Sequence, residues 1–119
     1  MTVEQIASQL AAYCRNEEFT RAQQELYAED AVSIEPYDTP GFEKETQGLE
    51  ALKEKDRKFS SMVESRYGTT VSDPIIAGNV FSFVLSMDLK MKGREREKMT
   101  ELCVYHVKDG KIVSEQFFM

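Results

Sequence analysis

The sequence predicts an α+β domain, with helices packed on one face of a curved antiparallel sheet. One change in pattern carries that prediction. Apolar residues recur at three- and four-residue steps in three segments before about residue 64, and at every second position from Arg66 onwards. The size agrees: 119 residues, 41% of them apolar, fill one core and leave little for a second, so residues 1–119 are read as a single domain.

Thr2-x-x-Gln5 is a capping box, and behind it Val3, Ile6, Ala7, Leu10 and Cys14 form one apolar stripe. This predicts a helix over about 3–15. After a short Asn16-Glu17-Glu18 break, Phe19, Ala22, Leu26 and Tyr27 predict a second helix ending near Ala28, so the two make a helical corner. Ala31 to Glu35 alternates and reads as a short strand, stopped by Pro36. Tyr37 to Gly48, with Pro40 and Gly41 inside it, reads as an irregular loop. Leu49, Leu52, Asp56, Phe59 and Val63 mark a third helix over about 48–64. Its charged run of Glu50, Lys53, Glu54, Lys55, Arg57 and Lys58 reads as a solvated face, with Glu54 and Lys58 at a favourable i,i+4 spacing.

Four antiparallel strands are expected next. Tyr67, Thr69 and Val71 alternate before Asp73-Pro74, and Ala77-Gly78-Asn79 reads as a turn. Phe81, Phe83, Leu85, Met87, Leu89 and Met91 occupy alternate positions of a long strand, which turns at Lys92-Gly93. A return strand runs from about Arg94 to Val107, and a last strand from Ile112 to Phe118 follows the Lys108–Lys111 turn. The return strand is semi-apolar on both sides, with Met99, Cys103, Tyr105 and Val107 on one and Leu102 and Val104 on the other. A sheet buried on one face only should not read this way. A second copy of the chain is the simplest cover for the outer face.

Composition removes several classes of function. One histidine, His106, and two cysteines, Cys14 and Cys103, cannot furnish a Cys/His zinc site, and no nucleophile motif surrounds His106. Glycine-rich phosphate loops are absent. The N-terminus shows no signal-peptide pattern. The most apolar stretch, Val80 to Met87, falls far short of the ~20 residues of a membrane span. The cysteines are read as free thiols and the expected location is cytoplasmic. A net charge of −6 argues against a nucleic-acid partner. No metal or organic cofactor is expected.

Three strings carry a family resemblance: Leu26-Tyr27-Ala28-Glu29-Asp30-Ala31-Val32, Gly48-Leu49-Glu50-Ala51-Leu52 and Val107-Lys108-Asp109-Gly110-Lys111-Ile112-Val113. In this order and spacing the chain resembles the nuclear transport factor 2-like superfamily, particularly its SnoaL-like branch. The resemblance implies a cone-shaped antiparallel sheet wrapped over three N-terminal helices, with an internal pocket and dimerisation through the convex sheet face. It implies a small-molecule pocket protein, either a cofactor-independent cyclase or isomerase or a non-catalytic ligand-binding or protein-interaction domain. Fold alone does not decide between them.

In ketosteroid isomerases of that superfamily the general base lies just before a proline, four residues after an alanine. Ala31-Val32-Ser33-Ile34-Glu35-Pro36 places Glu35 in that slot. Glu35 is therefore either a base for a carbon-bound proton or a solvated strand-end glutamate. The rest of that site does not carry over: the positions of its tyrosine and neutral acid fall near Ala11 and near Cys103 or Leu102. Glu101, on the strand face of Cys103 and Tyr105, is either an inward catalytic carboxyl or an outward residue at a dimer rim. Candidate ligand contacts are Tyr13 on the first helix, otherwise a helix-packing tyrosine, Tyr37 with Phe42 on the overhanging loop, as a lid or as cover for the core edge, and Phe59 and Met62 on the third helix. Phe83, Cys103, Tyr105, Gln116 and Phe118 are the sheet candidates, with Cys103 otherwise an inert core thiol and Gln116 otherwise a satisfied sheet residue. The expected ligand is compact and apolar or aromatic.

Overall fold

A computed structural model describes residues 1–119. Three helices, α1 (Val3–Arg15), α2 (Phe19–Leu26) and α3 (Leu49–Met62), pack within a curved, unclosed seven-stranded sheet. The strands are β1 (Tyr27–Ile34), β2 (Glu45–Gln47), β3 (Val63–Val71), β4 (Ile75–Ala77), β5 (Val80–Met91), β6 (Arg96–Lys108) and β7 (Lys111–Phe118). Their order is β2-β1-β7-β6-β5-β3, with β4 also paired to β5.

Local chemistry explains most of the elements. The Thr2 hydroxyl accepts from the Gln5 amide at 3.1 Å while Gln5 returns a bond to the Thr2 amide at 2.9 Å, completing the box that starts α1. Ile6, Ala7, Leu10, Ala11 and Cys14 form its buried stripe. Helix α2 stops at Leu26, earlier than its periodicity suggests, because Tyr27 already pairs with Ile112 across the sheet. Register shifts in the β1–β7, β3–β5 and β6–β7 pairings mark the irregularities that bend the sheet.

Several features differ from the sequence reading. The loop before α3 contains the short strand β2, and β4 precedes the long hairpin; each has only three residues, too few for a period to register. Strand β1 pairs parallel to β7, so the sheet is not wholly antiparallel. The return strand begins at Arg96, not Arg94. The charged run on α3 is not uniformly solvated, since Lys55 keeps only 18% of its side chain exposed and points inward.

Strand β1 also faces opposite to the usual amphipathic rule. Ser33 is fully buried on the inner face, paired with Glu115 of β7, whereas Val32 and Ile34 are on the outer side and only partly covered. The core beneath α1 is filled by Ile6, Leu10, Phe81, Phe83 and Ile112. Phe81 stacks on Tyr105 with ring centroids 5.0 Å apart. No helix is long and apolar enough to cross a membrane.

Helix α3 contributes one fully buried side chain, Leu52. Leu52→Ala is expected to cost about 3 kcal/mol of unfolding free energy, measurable by chemical denaturation. The exposed neighbour Ala51 changed to Ser should cost well under 1 kcal/mol.

Candidate functional site

Seven strands bent around three short helices leave the wide end of the cone unfilled. The resulting cavity has a volume of about 700 Å³ and lies between the helices and the inner sheet face. Its walls are largely apolar, and five of the six methionines (Met62, Met87, Met91, Met99 and Met119) line it. Unbranched thioether side chains let such a wall adapt to different ligand shapes.

The polar groups on the sheet wall converge on one lysine. Lys55 Nζ lies 2.7 Å from Glu35 Oε1 and donates to Ser33 Oγ at 2.8 Å. Ser33 Oγ donates in turn to Glu115 Oε2 at 2.7 Å, and Tyr27 donates its hydroxyl to Glu115 Oε1. Alternation along β1 sets this up, because Ser33 and Glu35 are two residues apart on the inward side. Burial pushes the Glu115 carboxyl upward, opposed by these hydrogen bonds and by Lys55. Burial pushes the Tyr27 phenol well above its usual range as well.

Glu101 faces the same cavity from β6, opposite Leu85 of β5. Loss of solvent, then the charges of Glu35 and Glu115, push its carboxyl up to about 7, so near neutrality it is divided between the protonated and ionised forms. Cys103 lies beside it, with Sγ 3.9 Å from Glu101 Oε1. Burial raises the Cys103 thiol far above its ordinary value and pushes Cys14 up to about 12, so neither is poised as a thiolate nucleophile.

The helical wall carries a second polar group. Asp56 faces the cavity from α3, and Thr20 of α2 donates to its Oδ2 at 3.3 Å. Burial pushes the Asp56 carboxyl upward, with Thr20 and Arg66 opposing. At the mouth, Tyr37 and Phe42 belong to a loop closed at its base by the Glu35 amide donating to the Lys44 carbonyl at 2.7 Å. Lys58 sits 5.0 Å over the Phe42 ring and donates to the Gly41 carbonyl.

The structure therefore brings Glu35, Glu101, Tyr37, Phe59, Met62, Cys103 and Tyr105 to one cavity. Four candidates lie elsewhere. Tyr13 turns away, donating its hydroxyl to Glu25 with Arg21 5.0 Å over its ring. Phe83 is sealed in the core against Tyr105, at 5.3 Å between ring centroids. Gln116 and Phe118 pair with Val104 and Leu102 on the outer face, so the inward residues of β7 are Glu115 and Phe117. His106 is exposed, with Nε2 3.1 Å from the Asn79 amide. Sequence reasoning missed Glu115, Lys55, Asp56 and Gln23. For Glu115 a one-residue shift in the face of β7 is the whole difference.

Fold and cavity together define a class: small α+β cones with a pocket between sheet and helices. Within that class the chain belongs to the SnoaL-like domain family, which matches residues 1–119. A presumptive SnoaL-like polyketide cyclase from Mesorhizobium loti superposes with a TM-score of 0.91 at 28% identity, covering 100% of both chains. A protein of unknown function with a cystatin-like fold from Xanthomonas campestris gives 0.83 at 16% identity, covering 99% of this chain and 90% of its own. TerC, co-crystallised with polyporic acid, gives 0.80 at 12% identity, covering 99% of this chain and 92% of its own. No curated relative matches the chain. The chain thus has a cyclase-like or ligand-binding fold.

Glu101 binds its proton more tightly folded than unfolded. The stability tied to that proton is complete below about 4.5 and is lost as pH rises through about 7. Glu101→Gln is accordingly expected to raise unfolding free energy above pH 7 by up to about 3 kcal/mol relative to the unaltered chain, with little change at pH 5. Denaturation curves across pH read the difference directly.

Proposed function

We propose that the protein binds a compact apolar or aromatic carbonyl compound in this cavity and moves a proton on the carbon next to the carbonyl. Such a step serves cyclisation or isomerisation and uses only side chains of this chain. The observation that supports it is the pairing of Glu35 and Glu101 on one apolar cavity, the former against Lys55 and the latter easily protonated near neutrality.

Glu35 accepts the proton from carbon, and the electron pair moves onto the carbonyl oxygen. Protonated Glu101 donates a hydrogen bond, or its proton, to that oxygen as charge develops there. Glu35 then returns its proton to another carbon as the carbonyl re-forms and Glu101 recovers any proton it gave, or the enolate carbon attacks a second carbonyl, whose oxygen takes the proton from Glu35. Lys55 contacts Glu35 through Oε1 and keeps the carboxylate oriented, which leaves Oε2 to take the proton. TerC, which shares the fold, has been co-crystallised with polyporic acid, which agrees with an organic ligand.

Exchange of the α-protons of 2-tetralone for deuterium, followed by NMR, tests the chemistry. The protein should accelerate exchange over buffer. Glu35→Gln should lose about 100-fold or more of that acceleration, and the wild-type rate should fall above pH 7 as Glu101 loses its proton. Binding of 2-tetralone without accelerated exchange would leave a ligand-binding domain and no enzyme.

The proposed assembly is a homodimer through the outer sheet face. Val84, Leu102 and Phe118 form an exposed apolar row across β5, β6 and β7, bordered by Ser82, Val104 and Gln116. Such an uncharged strip is self-complementary under two-fold symmetry. Sedimentation should report a dimer for the native chain and a folded monomer for Leu102→Glu. A monomer in both cases would overturn this assembly.

A further inference from the structure

The helical wall of the cavity contains a polar group that the proton-transfer chemistry does not use. Gln23, on α2, is only 8% exposed and lines the cavity, and its Oε1 is buried without a hydrogen-bond partner. Leaving an amide oxygen unpaired in an apolar setting is costly, and folded proteins rarely tolerate it without a compensating role. An apolar side chain of similar size would fill the position without that cost.

Its surroundings indicate what completes it. Thr20, one helical turn before Gln23, donates to Asp56, and Asp56 also lines the cavity. Gln23 and Asp56 add oxygen acceptors to this side of the cavity, where Lys55 of α3 is already engaged by Glu35 and Ser33 and Arg66 of β3 acts on Asp56, while Glu35, Glu101 and Glu115 belong to the sheet-derived wall. A ligand spanning the cavity would meet the proton-transfer groups on one side and Gln23 with Asp56 on the other.

We infer that Gln23, with Asp56 on the same helical wall, forms a specificity subsite that receives a hydroxyl group of the ligand remote from its reacting carbonyl. The substrate class is thereby narrowed to hydroxylated aromatic or alicyclic ketones. This subsite rests on the proposed carbonyl-binding cavity but makes a separate claim about recognition. A hydroxyl suits the site because its O–H donates to the Gln23 carbonyl oxygen and its own oxygen can accept from an amide N–H. A site built to pair with a hydroxyl discriminates strongly against the analogue lacking it.

The test compares 2-tetralone with 6-hydroxy-2-tetralone on the native chain and on Gln23→Leu, by calorimetric titration and by the deuterium-exchange assay. The native chain should bind the hydroxylated ketone about tenfold or more tightly, and Gln23→Leu should erase that preference while still binding 2-tetralone. Without ligand, Gln23→Leu should melt at a higher temperature than the native chain, since the unpaired amide is gone. Equal affinities on the native chain, a preference that survives Gln23→Leu, or a lower melting temperature for that variant would each overturn the subsite. Exchange of 2-tetralone without hydroxyl preference would remove the subsite and leave the proton-transfer reading. Hydroxyl preference without exchange would do the reverse. Failure of either ketone to bind would remove both.

Discussion

Lys55 ties helix α3 to the sheet, and much of the cavity's arrangement depends on that contact. The helix buries only Leu52 completely, so apolar packing alone gives it a modest hold. Lys55 adds a bridge to Glu35 and Ser33, and Ser33 passes the link to Glu115 and Tyr27. The same ammonium supplies positive charge where Glu35, Glu101 and Glu115 approach one another. Those carboxyls have two physical routes to tolerating burial: pairing, which Glu35 finds in Lys55, and protonation, toward which Glu101 is pushed.

The cavity follows from a mismatch of shape. A sheet bent by register shifts encloses more volume than three short helices fill, so the narrow part under α1 packs solidly while the wide end stays open. The contrast between Phe83 and Phe117 shows the boundary. Phe83 is buried in an aromatic cluster, whereas Phe117, paired with Cys103, borders the open space. Both belong to alternating strands, and only their positions along the cone distinguish wall from core.

Polar residues facing inward are the corresponding chemical feature. On β1 the buried side carries Ser33 and, just beyond the strand, Glu35, while Val32 and Ile34 face out. Inverted amphipathicity of this kind carries a stability cost in an ordinary core. It becomes tolerable beside a cavity, where lysine, serine and carboxylate groups satisfy one another and a ligand can satisfy what remains.

The sequence by itself determined the local elements and their order, because capping at Thr2, the helical stripes and the alternation of β5 and β6 are short-range properties of neighbouring residues. It also placed Glu35 just before Pro36, and its family resemblance anticipated the cone. Tertiary structure decided which side chains share the cavity. Lys55 looked like part of a solvated helical surface until the bend of β1 brought Ser33 and Glu35 to it, and Tyr13 looked available until Glu25 and Arg21 occupied it from α2. Gln116 and Glu115 are adjacent in the chain, yet their pairing with Val104 and Tyr105 sends one outward and the other into the buried network. Such distinctions depend on strand register and sheet curvature, which arise from contacts between residues far apart in the chain and leave little trace in local periodicity.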